Sequence, residues 1–280
     1  MLGGRKLNLT IIKRKGSRSK KDIPQDILMQ LNCGEIESAN VVEWSAVDRK
    51  KLLENTLKQH NRIHYLKPIL EQIDKLKKQT INTVNESIGA ELLYQMNNSN
   101  DNDFLHILLS CQSDLVRGWG TFIVGKDNTL SLEQMFANIK PFAIDRHFNV
   151  REEAWTAVRP AVILSLDKSI TILSKWVIDE NENIRRFASE VTRPRGVWCK
   201  HIEVLKQNPV IALPILEPLK SDKSKYVRDS VGNWLNDASK TVPVFVETLC
   251  SRWEKESLTD ETRYIIKRAM RTINKGKKTC

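Results

Sequence analysis

The chain has 280 residues, of which 40% are hydrophobic and 28% charged, a composition typical of a globular protein that buries a sizeable core. Its apolar stretches, such as residues 160–164, are far shorter than the roughly 20 residues of a bilayer-spanning helix, and its first residues lack a hydrophobic signal core. Five scattered cysteines without a C-x-x-C pair argue against a disulfide framework or a zinc ribbon. The sequence therefore predicts a cytoplasmic protein without a membrane segment.

The net charge of +11 is concentrated at the two ends of the chain. Residues 1–21 contain eight Lys or Arg and no acid, and residues 263–280 contain seven and no acid, so acids outnumber bases in between. Basic ends suit a polyanion such as nucleic acid, although basic tails also occur in proteins that never bind it. We expect residues 1–21 to form a flexible basic segment and residues 22–280 to form a single domain.

From residue 22 onward, apolar residues recur mainly at helical spacing. Residues 22–100 contain four such stretches, which predict N-terminal helices. From residue 101 a pattern recurs, in which a polar turn precedes a β-branched residue and then a basic one. The basic residues are Arg117, Arg151, Arg185, Arg228 and, less regularly, Lys267. Their steps of 34, 34, 43 and 39 residues fit units of two helices.

Each unit reads as a helix, a polar turn with an Asp, Asn or Ser N-cap, and a second helix that begins near the basic residue. The pattern predicts an all-α, HEAT-like helical repeat solenoid, a right-handed superhelix of antiparallel helix pairs. About five pairs would occupy residues 101–280, with the second helices lining a concave groove. We expect most of the repeated arginines to be structural, binding carbonyl groups or acids of the next repeat.

Five segments along nearly the whole chain carry more specific information. They are residues 14–24 (RKGSRSKKDIP), 34–44 (GEIESANVVEW), 150–155 (VREEAW), 187–199 (FASEVTRPRGVWC) and 227–237 (VRDSVGNWLND). In these segments the sequence resembles the DNA alkylation repair glycosylases built from HEAT-like repeats, in particular the AlkC branch and more distantly AlkD.

The resemblance implies a DNA glycosylase of base excision repair that hydrolyses the N-glycosidic bond of cationic alkylated bases. It implies 3-methyladenine first, with 3-methylcytosine or 7-methylguanine as further substrates, and no metal or organic cofactor. The partner would be double-stranded DNA containing alkylated bases, bound by a monomer. Two alternatives stay open at this point: a non-catalytic HEAT-repeat protein that binds branched or damaged DNA, and a protein-binding scaffold.

The candidate site residues suit this chemistry. An alkylated base is already a cationic leaving group, so catalysis needs carboxylates that stabilise an oxocarbenium-like sugar and position water. The candidate catalytic acids are Glu152, Glu190 and Asp237. The candidate DNA-binding residues are Trp155, Arg159, Arg186, Arg193, Arg195, Trp198, Arg228, Asn233 and Trp234.

Most of these residues also have a structural interpretation. The alternatives are an N-cap for Glu152, core packing for Trp155, Trp198 and Trp234, an ion pair between Arg186 and Glu190, and a surface bond of Asp237 to Asn233 or Lys240. Glu153, next to the first candidate acid, is expected to be solvated or paired.

Overall fold

The computed structural model describes residues 14–197 and 199–278, with side chains as far as residue 276. Within these residues the regular structure is helical and contains no strand. Residues 1–13 of the expected flexible segment, and the candidate DNA-binding residue Trp198, lie outside the described residues. None of the described helices is both long and apolar enough to cross a membrane.

The α-helices before residue 128 are α1 (Gln25–Asn32), α2 (Val41–Ala46), α3 (Arg49–Gln59), α4 (Leu66–Asp74), α5 (Ile81–Ser99), α6 (Phe104–Ser110) and α7 (Asp114–Lys126). The later ones are α8 (Leu132–Ala143), α9 (Phe148–Leu164), α10 (Leu166–Leu173), α11 (Glu182–Val191), α12 (Glu203–Gln207), α13 (Leu213–Leu216), α14 (Lys225–Ser239), α15 (Pro243–Glu256), α16 (Asp260–Ala269) and α17 (Arg271–Lys278). Short 3-10 helices span Lys20–Asp22, Ile63–Tyr65, Pro209–Ala212 and Glu217–Leu219.

The helices form two compact units. Of the described residues, the first unit contains residues 14–127 together with His147–Glu153, and the second contains Asn128–Arg146, residues 154–197 and residues 199–278. The boundary therefore falls within α9. The single domain expected over residues 22–280 stays a prediction.

In the first unit, the segment that precedes α1 is held against the turn before α2. Arg14 forms an ion pair with Glu43, a fully buried residue of α2. Asn40 Nδ2 donates to the carbonyl of Ser17 at 2.9 Å, and Lys20 Nζ donates to the carbonyl of Ser45 at 2.8 Å. From Arg14 onward, the basic segment that the sequence suggests to be flexible is thus tied to the fold.

In the second unit, the second helices of successive pairs, α11, α14 and α16, lie side by side. Their apolar residues recur at helical spacing and are fully buried, as Val227, Val231 and Trp234 are on α14. Stacking of these faces makes a continuous core, because a single helix pair cannot bury its own apolar face.

The repeated arginine has a constant structural role at the start of the second helices. It is the fourth residue of its helix, and its Nη1 donates to carbonyl groups of the preceding turn at 2.7–2.9 Å. The arginines and their acceptors are Arg117 with Cys111 and Gln112, Arg185 with Asp179 and Glu180, Arg228 with Asp222 and Lys223, and Arg263 with Leu258. A structural role is thus confirmed for Arg117, Arg185 and Arg228, but the carbonyl groups that they bind belong to the turn before their own helix and not, as expected, to the next repeat. Arg185 also binds an acid of the next turn, Asp222.

Two corrections to the sequence interpretation follow. The fifth arginine of the series is Arg263, because α16 begins at Asp260; Lys267 lies one turn further along and is exposed. Arg228, a candidate DNA-binding residue, has instead the repeat role, and its guanidinium lies 5.5 Å from the centre of the Tyr264 ring.

Arg185→Ala should lower the free energy of unfolding by about 3 kcal/mol, because it also leaves buried Asp222, its bidentate partner at 2.6 and 3.0 Å, without a counter-charge. Arg252→Ala is the control, since Arg252 forms only exposed ion pairs with Glu217 and Glu256, and it should cost less than about 1 kcal/mol. Urea unfolding measures both. Equal losses would contradict the role given to the repeated arginine.

Candidate active site

The C-terminal ends of α11 and α14 bring three candidate residues together in the second unit. Contacts between the two helices advance in the same direction: the Ser189 and Ser230 hydroxyls are 2.7 Å apart, and Trp234 Nε1 donates to the carbonyl of Thr192 at 3.0 Å. The helices are therefore parallel. Their last turns place Arg193 beside Asp237.

Arg193 is shared between two acids. Its Nη1 donates to Glu190 Oε1 at 2.7 Å, while Nε and Nη2 donate to Asp237 Oδ2 at 3.0 and 2.7 Å. Burial alone lowers the pKa of this guanidinium, but the charges of Glu190 and Asp237 outweigh burial and raise it. Pro194 follows directly and ends the helical path, so the side chain of Arg193 reaches across to α14.

Glu190 lies behind Arg193 and is only 4% exposed. Its Oε2 accepts from the Ser230 hydroxyl at 2.6 Å and is 3.6 Å from Arg186 Nη2, which confirms the expected ion pair. Burial raises the pKa of Glu190, but the charges of Arg186 and Arg193 overcome it and leave the pKa below its ordinary value. Glu190 is thus an ionised acid that fixes Arg193.

Asp237 is as little exposed as Glu190, at 4%, but unlike Glu190 it borders an open pocket of about 420 Å³. Its second oxygen, Oδ1, accepts from Lys240 at 3.2 Å, one of the bonds that the sequence suggested. The pocket is lined by four cations and one carboxylate, with His201, two asparagines and a short loop completing it. The lining residues are Arg193, Arg195, Gly196, Val197, His201, Asn233, Asn236, Asp237, Lys240 and Arg271. This is a cationic pocket with one acid in its wall.

Several candidate DNA-binding residues have structural roles instead. Arg159 is 1% exposed, and its three donor nitrogens bind the carbonyls of Val191, Arg193 and Lys200 at 2.5–2.9 Å. It therefore closes the end of α11 and does not meet phosphate as expected.

The tryptophans follow the same pattern. Trp155 and Trp234 are buried, so both belong to the core of the second unit and neither offers a ring to DNA.

Two candidate arginines have partners within the protein. Arg186 stacks on Tyr226, with its guanidinium carbon 4.2 Å from the ring centre, in addition to its ion pair. Arg195 keeps a partner within the protein, donating from Nη2 to Thr241 Oγ1 at 2.8 Å, but it lines the pocket.

The remaining candidate acid, Glu152, lies on α9 in the part that belongs to the first unit, where it is partly buried. Its neighbour Glu153 is not solvated, which was one of the two alternatives, but it has a partner in Asn85. Glu153 is buried, accepts from Asn85 Nδ2 at 2.8 Å through Oε1, and has no hydrogen-bond partner for Oε2 among the described residues. A Cβ on Gly118 would lie 1.6 Å from that oxygen, so the carboxyl group packs directly on the glycine.

Burial raises the pKa of Glu153 to about 8, with the charge of Asp114 adding to the effect and the Asn85 bond and Arg49 opposing it. Sequence reasoning could not show that Glu153 is the buried one, because Glu152 and Glu153 have the same side chain and differ only in the face of the helix on which they lie. Gly118, the fifth residue of α7, was the available signal of a close approach.

The raised pKa makes stability depend on pH. A carboxyl group that holds its proton more tightly when folded stabilises the fold fully below its unfolded pKa, near 4.5, and this contribution is lost as the pH rises through about 8. The unfolding free energy should therefore fall between pH 4.5 and 8. Glu153→Gln, which is neutral throughout, should remove this part of the slope. An unchanged slope in urea unfolding from pH 5 to 9 would exclude Glu153 as its source.

No grouping of His, Cys, Asp and Glu among the described residues could hold a metal ion.

Comparisons with known proteins show what the chain resembles in sequence and in fold. No family model matches the sequence. Over 119 residues the chain is 46% identical to the uncharacterized protein YhaZ of Bacillus subtilis (strain 168), a match that covers 42% of this chain and 33% of YhaZ.

Solved structures match over more of the chain. AlkC of Pseudomonas fluorescens, an alkylpurine DNA glycosylase bound to DNA containing an abasic site analog, superimposes with a TM-score of 0.65 at 21% identity, covering 92% of this chain and 65% of AlkC. AlkD2 of Streptococcus mutans gives 0.55 at 22% identity (74% and 98% covered), and smu.31 of Streptococcus mutans UA159 gives 0.53 at 20% (80% and 98%).

The chain has the HEAT-like helical fold of AlkC. The predicted all-α fold is thereby confirmed, and the likeness of sequence segments to AlkC and AlkD is matched by a likeness of fold. The chain spans a third of the curated relative that it matches and about two thirds of AlkC.

Proposed function

We propose that this protein is a DNA glycosylase that removes cationic alkylated bases, 3-methyladenine foremost, with 3-methylcytosine and 7-methylguanine as further candidates. The observation that carries the proposal is the carboxylate of Asp237 in the wall of a cationic pocket, in a chain with the fold of a glycosylase whose structure contains DNA. A pocket of this kind can hold a DNA backbone and present an acid to its sugar.

The reaction breaks the bond between C1′ of the sugar and the base nitrogen. The bonding electrons go to the alkylated base, which leaves neutral, and the sugar acquires positive charge. Water then attacks C1′ and releases one proton to the solvent, which leaves a neutral hydroxyl on the sugar. A carboxylate about 4 Å from that charge stabilises it by on the order of 4 kcal/mol at an effective dielectric constant near 20, or nearly three decades in rate. In this proposal Asp237 supplies that charge.

The neighbouring residues have separate roles. Arg193 holds Asp237 Oδ2 in place, and Glu190, which does not line the pocket and has both oxygens bound by Arg193 and Ser230, holds Arg193. Arg195 and Lys240 contact DNA phosphate. Glu152 remains a second candidate acid, proposed from its sequence motif and its partial exposure on α9.

The proposal is tested by base release from double-stranded DNA treated with a methylating agent, with the released base identified by mass spectrometry. The wild-type protein should release 3-methyladenine, and Asp237→Asn should lower the rate on the order of a hundredfold or more because it removes the charge. Asp260→Asn is the control, since Asp260 is an exposed acid paired only with Arg263. Glu152→Gln and Glu153→Gln form a second matched pair on α9.

Base release should survive Asp260→Asn at the wild-type rate, with DNA binding retained in every variant. A folded wild-type protein that binds methylated DNA and releases no base would reject the glycosylase proposal and favour a non-catalytic DNA-binding protein. Equal loss of binding and release in Asp237→Asn would reject the electrostatic role of Asp237.

Phosphate contact by Arg195 can be tested by the salt dependence of DNA binding. Arg195→Ala should weaken binding to duplex DNA and reduce the slope of log Kd against log salt concentration by about 1, because one fewer cation displaces counterions. Arg252→Ala, on the first helix of its pair, should leave the slope unchanged. Kd values measured between 50 and 200 mM salt decide the matter, and an unchanged slope for Arg195→Ala would remove it from the phosphate contacts.

A further inference from the structure

The amide groups of Asn233 and Asn236 have fixed orientations in the pocket wall. Asn233 Oδ1 accepts from Arg268 Nε at 3.0 Å and from Arg271 Nη2 at 2.8 Å. Asn236 Oδ1 accepts from both the backbone N–H and the hydroxyl of Thr272, each at 3.2 Å. Because only the amide oxygen can accept these bonds, the geometry assigns oxygen and nitrogen in both groups.

The amide nitrogens are then the polar atoms that these two residues offer to the pocket. Both residues line it, and their oxygens are held on the side of α16 and α17. Each Nδ2 has no acceptor among the described residues. Asn236 is 8% exposed, so its donors can be satisfied only by something that enters the pocket.

The charges around these amides favour an anion. Arg195, Lys240 and Arg271 line the same pocket, and the Nε of Arg195 is buried with no partner among the described residues. Burial and the nearby charges of Arg268 and Arg193 lower the pKa of Arg271, which shows that cations are crowded here.

The single acid in the wall opposes an anion only weakly, because both of its oxygens are covered. Asp237 Oδ2 accepts from Arg193 and Oδ1 from Lys240. The pocket therefore presents many donors and almost no available acceptor. A nucleobase edge offers donors as well as acceptors and fits poorly, whereas a phosphodiester carries one negative charge and only acceptor oxygens.

We propose that this pocket holds one backbone phosphodiester of the bound DNA, with Asn236 as a binding residue and Thr272 as the residue that orients it. The proposal deepens the glycosylase function and depends on it for the identity of the polymer. A phosphate seated on Asn236 and Lys240 places the adjoining deoxyribose beside Asp237.

Asn236→Asp is the direct test. The substitution keeps the shape and leaves Oδ1 able to accept from Thr272, but it replaces the donor nitrogen by an anionic oxygen. Kd for a duplex with a tetrahydrofuran abasic-site analogue, measured by fluorescence anisotropy, should rise at least about tenfold. Asn128→Asp, which adds the same charge on an exposed turn, is the control and should change Kd less than about twofold.

Thr272 provides a variant that leaves the pocket wall intact. Thr272→Val removes the hydroxyl donor that pins the Asn236 oxygen and should weaken binding about threefold to tenfold. Thr272→Ser keeps the hydroxyl and should bind as the wild type does. Equal effects of Val and Ser would contradict the orienting role, and thermal unfolding of each variant checks that the fold is kept.

A series of duplexes with one neutral methylphosphonate each identifies the contact. On the duplex in which the seated phosphate is neutral, the penalty of Asn236→Asp should fall from about tenfold to about twofold or less, while other positions retain the full penalty. The same penalty on every duplex, or a Kd within twofold of the wild type on the unmodified one, would overturn the proposal. Base release is scored separately. If the Asn236→Asp penalty depends on one phosphate but no base is released, the phosphate site is supported and the glycosylase function is rejected. If base is released but the penalty depends on no single phosphate, only the phosphate site is rejected.

Discussion

A guanidinium at the fourth residue of the second helix, bound to the carbonyls of the preceding turn, is the interaction on which the helix pairs depend. The turn carbonyls point away from any helix and would otherwise lose their hydrogen bonds when the next pair packs over them. Arg185 also reaches forward to Asp222 in the next turn, and so joins one pair to the following one. The interaction fixes both the starting point and the rotation of each second helix.

The position of the candidate site follows from this constraint. Because the parallel second helices start at the same level, residues that follow their repeated arginines at similar distances meet, although they lie 35 to 44 residues apart in the chain. Helix C-terminal ends attract cations, because their carbonyl groups carry partial negative charge. The cations there in turn hold Glu190 ionised in a nearly buried position, and Arg193 and Lys240 bind the carboxylate of Asp237. One end of the repeat stack thus combines a fixed carboxylate with donors suited to a phosphate.

The sequence predicted the repeats well, because a basic residue after a polar turn is both a regular pattern and a physical requirement of each helix pair. It also brought Arg193, Arg195, Asn233 and Asp237 to attention, and the structure places all four around one pocket. It could not separate Asp237 from Glu190, because which of these two equally buried acids borders the pocket depends on neighbouring helices. Nor could it show that Arg159 binds carbonyls, that Glu153 packs on Gly118, or that Thr272 orients Asn236. Those contacts join residues distant in the chain, about which helical periodicity carries no information.

We assign two functions to the pocket around Asp237: it binds a phosphate, and it places Asp237 beside a sugar. A crystal structure of the protein bound to a duplex with an abasic-site analogue tests both at once. We expect a non-bridging phosphate oxygen within hydrogen-bond distance of Asn236 Nδ2 and Lys240 Nζ, and the adjoining sugar analogue about 4 Å from Asp237 Oδ1. DNA bound elsewhere on the protein, with this pocket filled only by solvent, would contradict the account.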